Sequence, residues 1–146
     1  MSGLAKVMPT ILVLDDDDSN LKVISLVLRS RDYEVLEARS GAEAIRICES
    51  RQEPIDLLIA DVKVPDMAGT QVALRAIECC PDSAILFVSG TAASNWTTDE
   101  LAILERLPRG SFEILEKPFT PTALEEKVRR LVNQRFKNQS GASGRL

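Results

Sequence analysis

Five short, mainly apolar runs recur along the chain, at residues 11–14, 33–36, 55–60, 84–88 and 112–115. Their starts lie 22 to 29 residues apart, room for one strand, two turns and one helix in each period. The segments between them carry helical spacing. Leu21, Ile24, Val27 and Leu28 fall at i, i+3, i+6 and i+7, and Ala44, Ile47 and Cys48 at i, i+3 and i+4. Val72, Ala76 and Cys79 repeat the stripe, as do Ile103, Leu104 and Leu107. Leu124, Val128, Leu131 and Val132 give it most clearly. Strands alternating with helices of this size predict parallel βαβ units with helices on both faces of one sheet. Three of the runs are apolar nearly throughout, which is what central strands covered on both sides require. The expected fold is a five-stranded, doubly wound α/β domain.

Several boundaries have a local cause. Thr120 before Pro121 reads as an N-cap with proline at the first helical position. Thr97 and Glu100 have the spacing of a capping box, and Trp96 and Leu101 that of a hydrophobic staple, which gives the lone tryptophan a packing role. Residues 137–146, KNQSGASGRL, are polar and rich in Gly and Ser. They read as a flexible tail or the start of a linker. Residues 1–9 form an N-terminal extension, leaving 10–136 as one domain.

Composition narrows the chemistry. With 146 residues, 45% of them hydrophobic and 27% charged, the chain suits one soluble domain with a real core. The net charge of −4 has the wrong sign for gripping nucleic acid by its phosphates, so none is expected as a partner. No apolar run approaches the roughly 18 residues a membrane span needs. Cys48, Cys79 and Cys80, with no signal peptide ahead of them, predict a reducing cytoplasm. The adjacent pair before Pro81 reads as packing rather than redox chemistry. There is no histidine, which removes His-based triads, His zinc sites and any phosphohistidine carried on this chain.

Ligands of an open parallel sheet collect at the carboxyl ends of its strands. Asp15, Asp16, Asp17 and Asp18 follow the first run, Asp61 the third, Ser89, Gly90 and Thr91 the fourth, and Glu116, Lys117 and Pro118 the fifth. Asp17 and Asp18 suit helix capping, with Ser19 as a competing cap. Asp15, Asp16 and Asp61 do not fit that role. Two carboxylates about 4 Å apart repel by about 4 kcal/mol at an effective dielectric of about 20. Unrelieved, that would push one pKa up by about three units, so either a proton is shared or a cation sits there. Hard oxygen ligands without His or Cys suit Mg²⁺. A divalent ion, a lysine and a hydroxyl around a carboxylate make an electrostatic cradle for a phosphoryl group, and the carboxylate can itself be the acceptor. No nucleotide-binding loop is present, so the donor is small or is another protein.

At these residues the sequence resembles the receiver domain of two-component response regulators, over about Thr10 to Phe136. ILVLDD (residues 11–16) resembles its first strand and acidic pair. IDLLIADVKVPDMAG (residues 55–69) resembles its phosphoacceptor segment, with Pro65 four and Gly69 eight residues after Asp61. ILFVSG (residues 85–90) places Ser89 at the family's Ser or Thr, and EKPF (residues 116–119) places Lys117 before a proline whose bond is usually cis. The resemblance implies a flavodoxin-like (βα)5 fold with strand order 2-1-3-4-5. It implies that Asp61 accepts a phosphoryl group from a histidine kinase or phosphotransfer protein. Mg²⁺ (or Mn²⁺) would be held by Asp15, Asp16, Asp61 and the main-chain carbonyl of Lys63. Lys117 would pair with the phosphoryl oxygens, and Ser89 would bond one of them and draw in the loop at Thr91. The chain would then signal to a downstream protein target, and the resemblance admits a homodimer. Such a domain is a signalling phosphoacceptor rather than a conventional enzyme.

Three features are peculiar to this sequence. Ile114 stands where the family commonly has Tyr or Phe that swings inward on activation. Ser89 and Lys117 are 28 residues apart, more than is usual, with the extra length expected near residues 91–96 or 108–111. Lys63, two residues after Asp61, is expected to reach the phosphoryl group and lengthen its lifetime. Rival readings are a haloacid-dehalogenase-like phosphatase built on Asp15, Asp17, Ser89 and Lys117, a pseudo-receiver used only for docking, and the receiver piece of a longer regulator. The phosphatase lacks the further acidic pair after the lysine and leaves Asp61 unexplained.

Overall fold

The computed structural model describes residues 8–144, and the side chains of residues 8–135. Five strands alternate with five helices. In chain order they are β1 (Thr10–Leu14), α1 (Asp18–Arg29), β2 (Glu34–Ala38), α2 (Gly41–Ser50), β3 (Leu57–Asp61), α3 (Gly69–Cys79), β4 (Ala84–Ser89), α4 (Thr98–Arg106), β5 (Phe112–Glu116) and α5 (Pro121–Gly144). All strand pairs are parallel, in the order β2-β1-β3-β4-β5. The expected (βα)5 flavodoxin-like fold is borne out.

Alternation along the strands sorts the core into two layers. Leu12, Leu14, Leu58, Ala60, Ile85 and Phe87 face one side, where Ala44 and Cys48 of α2 and Val72, Ala73 and Ala76 of α3 cover them. Ile11, Val13, Leu57, Ile59, Leu86 and Val88 face the other, under Leu21, Ile24 and Leu28 of α1 and Leu124, Val128, Leu131 and Val132 of α5. Both faces of β1, β3 and β4 are buried, hence the unbroken apolar runs.

The helix stripes hold with two corrections. On α3 the buried cysteine is Cys80, not Cys79, which is exposed. Cys80 lies just past the last helical turn, where the helical period no longer sets direction. On α4 no helical residue is fully buried; Leu107, one residue beyond it, reaches the core.

The caps form as the sequence predicts. Thr97 and Glu100 make the reciprocal capping box of α4, and Thr120 Oγ1 accepts from the Ala123 N–H at the start of α5. The two residues at the staple positions differ in burial. Trp96 is buried, edge-on to Phe87 with ring centroids 5.8 Å apart, while Leu101 is 39% exposed. Core burial of the large ring outweighs cover for a single exposed leucine.

α5 continues to Gly144, so the backbone of residues 137–144 is helical where composition predicts a flexible tail. Four core residues fix this helix, and each further residue needs only propagation. Of the N-terminal extension, residues 1–7 lie outside the described ones, as do the last two residues of the tail. Among the described residues, no helix is long and apolar enough to cross a membrane.

Candidate functional site

The parallel strands all end on one edge, and the side chains that follow β1, β3, β4 and β5 meet there. β1 pairs with β3, and β3 with β4, so Asp15 follows Leu14 beside the end of β3, and Asp61 ends β3 against Val88 of β4. Carboxylate oxygens of Asp15, Asp16 and Asp61 lie within 4.8 Å of one another. The Asp15 side chain is 2% exposed and that of Asp61 10%, whereas Asp16 is open to solvent.

Each carboxylate is held from its own chain. Asp15 Oδ1 accepts from the Asp17 N–H at 2.9 Å, and Asp61 Oδ1 accepts from the Lys63 N–H at 3.1 Å. The turn after Asp61 closes tightly, with the Gly69 N–H donating to the Val62 carbonyl at 2.8 Å. A Cβ at Gly69 would come within 2.2 Å of the Asp61 carbonyl oxygen, so only glycine lets α3 start here. Gly69 thus owes its place, eight residues after Asp61, to this turn.

Lys117 enters from the end of β5. Its ammonium lies 3.1 Å from Asp61 Oδ2 and 3.8 Å from Asp15 Oδ2, while its own N–H donates to the Ser89 carbonyl at 2.7 Å. The following Lys117–Pro118 peptide is cis, as the resemblance implied. The repulsion expected between the carboxylates is met in part by this internal cation. Asp15 still shows the stress of the site. Burial raises its pKa above the usual 3.8, ahead of the lowering by the Asp17 N–H and Lys117; Asp61 and Asp16 raise it further.

Ser89 ends β4, and its hydroxyl is engaged within its own loop. Oγ donates to the Thr91 carbonyl at 2.7 Å and accepts from the Thr91 N–H at 3.1 Å and the Trp96 indole N–H at 3.3 Å. Within the segment after Ser89 the chain makes a single 3₁₀ turn at Ala93–Asn95. A second turn follows at Pro108–Ser111, where Gly110 takes φ 78°. Ile114, mid-β5, pairs with Phe87 and packs on the core as a plain apolar residue.

Asp15, Asp16, Asp61 and Lys117 therefore converge, and Ser89 and Thr91 border them. Asp17 does not join the cluster: its Oδ1 accepts from the Ser19 and Asn20 N–H groups as the N-cap of α1. This removes the second aspartate of the phosphatase reading. Asp18 pairs with Arg39 at 2.6 Å across the neighbouring loop. Lys63 is exposed beside Asp61. Trp96 has the packing role expected of it, and its bond to Ser89 Oγ is the contact that spacing along the sequence does not show.

The donor set fits a hard divalent cation: three carboxylates gathered at one strand edge, two of them buried, with no nitrogen or sulfur ligand. Beside it, a hollow of about 490 Å³ opens between α1 and the Lys117–Phe119 loop, lined by Asn20, Val23, Gly90 and Pro118 among others.

Comparison with known proteins agrees. The response regulator receiver domain model matches residues 11–129. The response regulator receiver protein CpdR of Brucella abortus (strain 2308) is 31% identical over 86% of this chain and 98% of its own length. The sensor kinase CckA of the same organism is 32% identical over 86% of this chain, which spans 13% of that protein. A CheY-like receiver domain protein of Methanospirillum hungatei JF-1 superposes with a TM-score of 0.77 at 26% identity, over 90% of this chain and 98% of that one. A receiver protein of Sinorhizobium medicae WSM419 gives 0.74 at 32% identity, over 88% and 98%. With its strand order, its strand-end residues and these matches in agreement, the chain belongs to the response regulator receiver domain family of two-component signalling.

Proposed function

We propose that the chain is a phosphorylatable switch whose acceptor is Asp61. The observation that carries this reading is the position of Lys117, whose ammonium bridges Asp61 Oδ2 at 3.1 Å and Asp15 Oδ2 at 3.8 Å. A cation held against the acceptor carboxylate lies where charge on a transferring phosphoryl group must be met. An Asp61 oxygen attacks phosphorus, forming the O–P bond as the P–N bond of a partner's phosphohistidine breaks. The departing imidazole keeps the electron pair on its nitrogen. Lys117 then pairs with a phosphoryl oxygen, and Ser89 donates to another.

Mg²⁺ (or Mn²⁺) is the expected cofactor, with Asp15, Asp16, Asp61 and the Lys63 carbonyl as its ligands; when bound it offsets the charge that gathers on the phosphoryl oxygens. Asp15 stays dry and is held by the Asp17 N–H, which suits a fixed ligand.

The proposed donor is the phosphohistidine of a histidine kinase or phosphotransfer protein, a residue type that these 146 residues do not contain. The hollow that leads to Lys117 is the approach this reading assigns to the donor, with Val23 of α1, 52% exposed, in its lining. The response is passed to a protein target in the cytoplasm. The gathered site speaks against a docking module without chemistry.

The test is binding of beryllofluoride, a phosphoryl mimic, followed by ¹⁹F NMR. Bound resonances are expected with Mg²⁺ present and absent with EDTA or in Asp61→Asn. Binding that survives both controls contradicts the reading.

A further inference from the structure

Trp96 is the only tryptophan in the chain, and its indole N–H donates 3.3 Å to Ser89 Oγ in a buried contact. Ser89 has one O–H, which it spends on the Thr91 carbonyl at 2.7 Å. The Thr91 N–H and the Trp96 N–H hold the oxygen from the other side. A phosphoryl oxygen on Asp61 can only accept, so Ser89 can serve it only by turning its O–H away from Thr91. Its donor and both acceptor positions are already taken by the Thr91 carbonyl, the Thr91 N–H and the indole. Oγ must therefore swing about the Cα–Cβ bond to do so, and that swing takes the acceptor from the indole. A buried donor left without a partner is costly, so the indole must move with the hydroxyl.

Its position makes that movement consequential. Trp96 directly precedes Thr97, whose side chain caps α4 and whose N–H is bound by Glu100. It also stands edge-on to Phe87, which in turn stands edge-on to Phe112 of β5, with centroids 5.9 Å apart. Ile114 has no polar atom with which to sense the hydroxyl.

We infer that Trp96 is a positioning residue for the phosphoryl step: its indole N–H holds the Ser89 hydroxyl in the resting orientation. Release of that bond on phosphorylation carries the change to the start of α4. The inference rests on the receiver reading above.

The test follows the single indole ¹H–¹⁵N resonance of the whole chain during beryllofluoride titration with Mg²⁺, with ¹⁹F NMR reporting Asp61 occupancy separately. The indole resonance is expected to shift in step with occupancy, and to stay fixed in Asp61→Asn. Trp96→Phe keeps a ring against Phe87 and removes the N–H. It should tighten beryllofluoride binding about fivefold, the scale of one neutral hydrogen bond. In Ser89→Ala the same substitution should change binding by less than about twofold. An unmoved indole at full occupancy overturns the inference alone, as does a Trp96→Phe effect of equal size without Ser89. If Trp96→Phe does not fold, the wild-type indole resonance decides. Absence of any Asp61-dependent occupancy overturns the receiver reading, and this inference with it.

Discussion

Asp15 works against folding. Burial holds its pKa above 3.8, so the native state binds a proton more tightly than the unfolded chain does. Stability contributed by the protonated form is therefore lost as pH rises from 3.8 through the raised value, and Asp15 is a net cost above it. Asp15→Asn keeps an oxygen for the Asp17 N–H and removes the buried charge. In EDTA at neutral pH this variant should melt about 2–6 °C higher than the parent, the range for relieving a poorly solvated polar group. Mg²⁺ should raise the melting temperature of the parent and not that of the variant. Equal responses to Mg²⁺ would show that Asp15 is not a ligand. Lys63 is exposed two residues from Asp61, and its ammonium is expected to hold the phosphoryl group against water. Lys63→Ala should speed loss of the phosphoryl group about fivefold, on the scale of one exposed charge pair. An unchanged half-life would remove that role.

Elements fix what single residues cannot. The turn from β3 into α3 fits only because Gly69 lacks a Cβ, which would otherwise meet the Asp61 carbonyl at 2.2 Å. Gly69→Ala must displace Asp61 or the helix, and should cost about 1–3 kcal/mol in urea unfolding and weaken beryllofluoride binding. At the opposite end of the sheet, Arg135 of α5 and Asp56 before β3 form an ion pair at 3.4 Å, their side chains 4% and 2% exposed. Asp56 also accepts from the Thr10 N–H at 2.7 Å, tying α5 to the first strand. Arg135→Met should destabilise the chain, because it removes the cation of a buried ion pair; chemical denaturation measures this. The strands and four helix stripes were legible because apolar spacing records which way a side chain must point. The swap of Cys80 for Cys79 in the core and the partner of the Trp96 indole were not. These residues lie at helix ends or in a loop, where periodicity no longer says which neighbour covers a residue. Asp15, Asp16, Asp61 and Lys117 could be placed on one edge from the sequence alone. That Lys117 spans two carboxylates, and that Ser89 turns to Thr91 and Trp96, depends on side-chain orientation, which spacing does not carry.

For the whole molecule, one parallel sheet brings strand ends from 56 residues apart into contact, as Asp61 and Lys117 show. The two helical layers hold that edge, and the acidic excess of the chain is partly gathered on it. On the proposed function the phosphoryl group comes from a phosphohistidine that these 146 residues do not supply. The rival phosphatase assignment makes Asp15 the acceptor in place of Asp61. The direct measurement is acetyl phosphate labelling with Mg²⁺, followed by borohydride trapping of the acyl phosphate and peptide mass mapping. One modification is expected, at Asp61, with none in Asp61→Asn or in EDTA. Labelling at Asp15, or labelling of Asp61→Asn equal to the parent, would contradict the account.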